Sequence, residues 1–188
     1  NIAESEGIEL YRGSLNNVAE RFLKAALKHN LNHFVRVTGD CILCDNVMVD
    51  RAIESHLQNG NDITFIRNMP FGTNKEVISL SAIKTIYKNA TIPENTEYLE
   101  YYLSNRKIFN VGYVVSKYKY NKSMRMTLDY EDDLEFFNRL FRHFDKVNPK
   151  FELDEAIDFL MRNPDIVSIN SHLNQKFLAH QVDTSLSI

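Results

Sequence analysis

Two aspartates far apart in the chain stand where an α/β protein does its chemistry. Asp40 closes the run Val-Arg-Val-Thr-Gly-Asp-Cys at 35–41, and Asp129 closes Arg-Met-Thr-Leu-Asp at 125–129. Each follows a β-branched or aromatic segment and precedes a helical pattern, and ligands of open α/β sheets bind beyond the carboxyl ends of the strands. Two hard carboxylates meeting there, with coordination positions left for water and phosphate, suit a catalytic Mg²⁺. The same spacing also suits two ordinary caps of the helices that follow, and spacing alone leaves both readings open.

The surrounding elements must bring these groups together. Ile8–Arg12 reads as a short strand closed by Gly13 and Ser14, and Asn16 or Asn17 caps a helix with Val18, Phe22, Ala25 and Ala26 on one face. His33–Thr38 reads as a strand, a helix spans about Asn46 to Asn59 and ends at Gly60, and Asp62–Arg67 is the next strand. The Pro70, Gly72 and Asn74 cluster predicts a loop of the kind that holds ligands, before a short strand Glu76–Leu80. Ser81 caps a helix through Ala90, and Pro93 opens another. Asn110–Ser116 and Met124–Asp129 read as strands, Glu131–Phe144 and Leu153–Arg162 as helices, and the tail after Asn170 as extended. This alternation predicts a single α/β layered domain over residues 1–188 with a mostly parallel sheet.

Composition narrows the classes. In 188 residues, 44% hydrophobic and 25% charged residues exclude a disordered or collagen-like chain, and a net charge of −3 argues against binding nucleic acid through overall charge. No apolar run reaches the roughly 18 residues of a membrane span, so no membrane insertion is expected. Cys41 and Cys44 cannot supply a disulfide framework. They read as buried or half-buried thiols rather than as metal ligands, which points to a reducing, cytoplasmic setting. The tyrosines at 98, 101, 102, 113, 118 and 120 read as core or rim packing.

Taken in order, four segments resemble the spore-coat polysaccharide cytidylyltransferases, a family similar to the acylneuraminate and deoxy-octulosonate cytidylyltransferases. They are Tyr-Arg-Gly-Ser at 11–14 with Glu20-Arg21, Val-Arg-Val-Thr-Gly-Asp-Cys at 35–41, Phe-Gly-Thr-Asn-Lys-Glu-Val-Ile-Ser at 71–79, and Arg-Met-Thr-Leu-Asp-Tyr-Glu-Asp-Asp-Leu at 125–134. The resemblance implies a Rossmann-like, three-layer nucleotidyltransferase that transfers CMP from CTP to a sugar, acidic or related, for surface polysaccharide, releasing pyrophosphate. It further implies Mg²⁺ at Asp40 and Asp129, nucleotide contacts from Arg12, Arg21, Thr38 and Gly39, substrate contacts from Gly72, Glu76 and Arg125, and a homodimer. Arg36 is a further candidate cation.

Departures from the family pattern bear on the acceptor. A Glu-His-Val-Thr-like segment is replaced by Glu97-Tyr98-Leu99-Glu100, and an Asp-Cys-Pro-Leu turn by Asp40-Cys41-Ile42-Leu43. Residues 1–20 match nothing of the family's opening strand and its Arg-, Gly- and Lys-containing triphosphate loop, so the first βαβ segment is expected to be missing. A catalytically silent sugar- or protein-binding relative is the alternative this reading carries.

Overall fold

The computed structural model describes residues 2–175, apart from the side chain of Asn95. Eight α-helices are found among them: α1 (Ile2–Ser5), α2 (Val18–Lys28), α3 (Asn46–Asn59), α4 (Leu80–Asn89), α5 (Leu99–Leu103), α6 (Glu131–Val147), α7 (Leu153–Arg162) and α8 (Pro164–Ser168). Strands β1 (His33–Arg36), β2 (Ile63–Arg67), β3 (Glu76–Ser79) and β4 (Val111–Val115) form one sheet in the order β1-β3-β2-β4.

Three strands share a direction. β2 and β4 pair parallel, whereas β3 runs antiparallel to both β1 and β2. The sheet is therefore mixed, with β3 reversed between two strands of common sense. Hydrophobic period does not encode strand direction, and the loop 68–75 is too short for the crossover of a dozen or more residues that a parallel neighbour needs. The reversal has a consequence for the site: Arg36 at the end of β1 lies opposite Glu76 at the start of β3.

Alternation along the strands divides the interior in two. Ile63, Phe65 and Ile78 pack with α2, α4 and α5, while Ile66 and Val77 pack with α3, α6, α7 and α8. A sheet with helices on both faces is the three-layer arrangement expected from the sequence. Local chemistry sets several boundaries. Asn17 caps α2 by accepting from the Glu20 amide, Asp45 caps α3 by accepting from Met48, and Gly60 ends α3 in the left-handed region at φ 58°. For α4 the cap is Ser79, whose hydroxyl accepts from Ala82 N, and Ser81 lies inside the helix.

Other expectations are corrected. Ile8–Arg12 pairs with no described strand, and Ile8 and Leu10 are exposed, because an apolar alternation makes a strand only where an edge is available. Residues 124–129 form no strand of the sheet, and their one β-bridge among the described residues is the isolated parallel bridge of Phe71 to Arg125. Pro93 opens a 3₁₀ helix, Pro93–Tyr98, before α5, and Ser171–Leu173 form a 3₁₀ turn where an extended tail was expected. The rest of that tail lies outside the described residues. Among the described residues no helix is long and apolar enough to cross a membrane.

A buried histidine gives the fold a pH dependence. His56 is fully buried on α3, its Nε2 3.0 Å from His33 Nδ1 and its Nδ1 3.1 Å from Thr64 Oγ1. Burial, reinforced by His33, pushes its pKa down to about 4. The unfolded chain protonates this imidazole near pH 6.5 and the folded one does not, so folding stability should fall as pH drops from about 6.5 towards 4, by at most about 3 kcal/mol. Urea unfolding at pH 7 and pH 4.5 checks this, and His56→Gln should flatten the slope.

Candidate active site

The turn after β1, the loop before β3 and the segment 124–129 line a cleft of about 750 Å³. The backbone joins the three pieces: Met126 N donates to Phe71 O at 2.7 Å, and Leu128 N donates to Asp40 O at 3.0 Å. Gly72 makes the first of these approaches possible. It sits at φ +90°, and a Cβ there would lie 2.5 Å from the carbonyl carbon and oxygen of Met126 and 2.6 Å from Thr127 N. Gly72→Ala should therefore displace the segment carrying Thr127 and Asp129, costing about 2–3 kcal/mol of stability. Any activity housed in this cleft should drop at least tenfold, and thermal unfolding and initial rates measured on the same sample check both effects.

The two aspartates meet across one hydroxyl. Thr127 Oγ1 is 2.7 Å from Asp40 Oδ2 and 3.3 Å from Asp129 Oδ2, so these two carboxylate oxygens lie no further apart than the sum of those distances. A hydroxyl has one proton, and the shorter contact, to Asp40, takes it. Partial burial raises the Asp40 pKa, but hydrogen bonds from Thr38, Thr127 and its own backbone, together with the charge of Arg36, outweigh burial and hold the carboxyl below the ordinary value. Asp40 is thus an anion at neutral pH. Asp129 keeps 41% of its side chain exposed. A pair of accessible hard oxygens is a donor set that fits Mg²⁺, although among the described residues no cluster of three or more His, Cys, Asp or Glu offers a full cage.

Behind Asp129 stands a fully buried ionic brace. Arg125 Nε donates to Asp133 Oδ1 at 2.9 Å, and its Nη2 donates to Asp133 Oδ2 at 3.1 Å and to Asp129 Oδ2 at 2.6 Å. Asp133, in the first turn of α6, also accepts from the amides of Asp129 and Tyr130 and from Asn170 Nδ2. Burial raises the Asp133 pKa, but the bonds from Arg125, Asp129 N and Asn170 overcome it and keep the carboxyl below its ordinary value. Arg125 therefore lines the inner wall committed to two carboxylates, with Nη1 left without a hydrogen-bond partner. Its guanidinium also lies 5.3 Å from the Phe71 ring centre and 5.7 Å from that of Tyr130.

On the other side of the cleft Arg36 pairs with Glu76 at 3.4 Å and donates to Glu97 O at 3.4 Å. Burial pushes Glu76 above the ordinary carboxyl range, Arg36 opposes the shift, and Glu100 adds to it. Tyr98 and Tyr101 stack with ring centres 5.9 Å apart on the same wall. Arg21, on α2, lines the cleft with its Nη1 held by Ser14 O at 3.0 Å.

Of the residues singled out from sequence, Arg21, Thr38, Gly39, Asp40, Gly72, Glu76, Arg125 and Asp129 all line this one cleft, as does Arg36. Arg12 does not. It is exposed on the unpaired segment before α2. Cys41 is half-buried in the cleft wall with Sγ 3.0 Å from Thr38 Oγ1, and Cys44 is exposed, contrary to expectation. Three contributors went unread. Thr127 stood inside a quoted motif without a role, Asp133 looked like one more acidic residue opening a helix, and Asn170 carries no local signal.

A cytidylyltransferase family model matches residues 1–174. A Methanocaldococcus jannaschii protein, MJ1063, is 32% identical over 177 residues, covering 93% of this chain and 72% of its own length. The spore coat polysaccharide biosynthesis protein SpsF of Bacillus subtilis is 27% identical over 163 residues, 85% of this chain and 68% of SpsF. Among solved structures, a cytidylyltransferase from Leptospira borgpetersenii superposes with a TM-score of 0.80 at 26% identity, covering 88% of this chain and 71% of that one.

Proposed function

Since the chain belongs to the cytidylyltransferase family, we propose that it transfers CMP from CTP to a sugar hydroxyl and releases pyrophosphate, as a step in making a surface polysaccharide. The observation that carries this reading is the convergence of Asp40 and Asp129 on Thr127 at the floor of a cleft that also holds Arg21. In the reaction a sugar oxygen bonds to the α-phosphorus as the bond from that phosphorus to the bridging oxygen breaks. The electron pair leaves on pyrophosphate, and the hydroxyl proton must be taken up. Catalysis of such a displacement is chiefly positioning and charge stabilisation.

The residues divide that work. Asp40 and Asp129 would hold Mg²⁺, which when bound supplies positive charge to the polyphosphate. Thr127 fixes the Asp40 carboxylate, and the Arg125–Asp133 brace fixes that of Asp129. Arg21, whose Nη1 donates to the main-chain carbonyls of Ser14 and Leu15, brings its charge to the phosphates. Thr38 and Gly39 bring the end of β1 close to the nucleotide, and Glu76 accepts hydrogen bonds from acceptor hydroxyls.

Pyrophosphate release from CTP, UTP, ATP and GTP with a panel of sugars tests the proposal. CTP should be preferred at least tenfold, and a chelator should abolish turnover. No release from any nucleotide, or equal release from all four, would contradict it.

A further inference from the structure

The hydrogen bonds that hold the two aspartates also divide their oxygens. In Asp40 it is Oδ2 that accepts from Thr127 Oγ1, at 2.7 Å. In Asp129 it is again Oδ2 that accepts from Arg125 Nη2, at 2.6 Å, and the same oxygen faces Thr127 Oγ1 at 3.3 Å. Each carboxylate is thus tied down through one oxygen, and Oδ1 is the oxygen outside these contacts. The Thr38 hydroxyl, which also reaches the Asp40 carboxyl, is shared with Cys41 Sγ at 3.0 Å.

Thr127 is placed to keep this arrangement. It is 2% exposed, and the residues on either side of it are stitched to the two loops of the cleft, Met126 N to Phe71 O and Leu128 N to Asp40 O. A β-branched side chain on a pinned backbone has few rotamers open to it, so its hydroxyl keeps one direction. On the other carboxylate Arg125 is held in turn, because Asp133 accepts from its Nε and its Nη2.

Carboxylates fixed in this way suit one kind of cation. Mg²⁺ takes single oxygens in near-ideal octahedral geometry and keeps several waters, whereas Ca²⁺ gathers about six to eight oxygens and often grips both oxygens of one carboxylate. A carboxylate with one oxygen tied down meets the first demand and resists the second.

We propose, on the cytidylyltransferase reading, that Asp40 and Asp129 each offer a metal one oxygen, Oδ1, and that Thr127 is the positioning residue whose hydroxyl, by holding Asp40 Oδ2, selects Mg²⁺ over Ca²⁺. Selectivity of this kind is a difference between two affinities, so a competition experiment reads it directly.

Mn²⁺ binding to the protein is followed by loss of the free-ion electron paramagnetic resonance signal, with Mg²⁺ and Ca²⁺ as competitors. In the parent protein Mg²⁺ should displace Mn²⁺ at about a tenfold lower concentration than Ca²⁺ does. Thr127→Val keeps the shape of the side chain and removes the hydroxyl; it should shrink that ratio to about twofold, since Asp40 Oδ2 is then free to join the ion. Thr127→Ser should keep most of the ratio. Asp40→Asn should weaken Mn²⁺ binding at least tenfold, which ties the signal to this site. No Mn²⁺ bound by the parent, equal displacement by the two competitors, an unchanged ratio in Thr127→Val, a serine variant that behaves as the valine one, or full Mn²⁺ affinity in Asp40→Asn overturns the proposal. Pyrophosphate release from CTP is measured on the same parent sample. Release alongside any of those results leaves the cytidylyltransferase reading standing, and its absence with every nucleotide overturns that reading too.

Discussion

Asp40→Asn should lower kcat/KM for CTP about a thousandfold, close to 4 kcal/mol of transition-state stabilisation, with the fold intact. The substitution removes a charge and little volume. The asparagine carbonyl can still accept from Thr127, and the Leu128 amide still meets the main-chain carbonyl of residue 40, so the stitch between the β1 turn and segment 124–129 survives. What is lost is an anion held below its ordinary pKa, the charge on which the proposed cation site depends. Asp129→Asn should cost a similar factor in rate and also some stability, because the carboxylate there is a partner of Arg125. Steady-state rates beside urea midpoints separate the two: the Asp40 variant should change only the first, the Asp129 variant both. An Asp40 variant that retains full activity would remove the metal from the account.

The largest effect on stability should come from Arg125→Met. Arg125 and Asp133 are both fully buried, and removing the cation leaves a carboxylate in the interior without its charge partner. Breaking a buried pair on one side typically costs about 3–5 kcal/mol, which in a chain of this size lowers Tm by roughly 10 °C. A double-mutant cycle with Asp133→Leu should show coupling of about 2 kcal/mol or more. The pH profile should also change sign. In the parent protein the depressed Asp133 pKa contributes stability that is complete above the ordinary carboxyl value, about pH 4, and is lost as pH falls through the folded value. In Arg125→Met the buried carboxyl has lost its cation, its pKa rises, and acidification to about pH 4 should relieve part of the destabilisation.

Much of this was legible from the sequence where the cause is local. α3 and α7 begin and end where their caps and apolar spacing place them, and three of the four motifs reach the cleft from the turn after β1, the loop before β3 and the segment before α6. Where the cause is non-local, reading failed. Strand direction for β3 depends on a partner, not on the pattern Glu-Val-Ile-Ser, and Ile8–Arg12 has strand-like alternation without an edge to join. Ser79 and Ser81 are equally good caps in isolation, and the register of β3 decides between them. The brace behind Asp129 was hidden for the same reason. Asp133 looks like the first-turn acid of a polar helix start, and only packing shows that Arg125 and Asn170, 8 and 37 residues away, meet it.

The account turns on Asp40 and Asp129 sharing one divalent cation. A crystal structure of the protein with CTP and Mn²⁺ tests this most directly, because the metal is located by its anomalous scattering independently of the protein atoms. A single peak with one oxygen of each aspartate within about 2.3 Å, a usual carboxylate-to-metal distance, is the result expected. A metal held by phosphate and water alone, with either carboxylate several ångströms away, would contradict it.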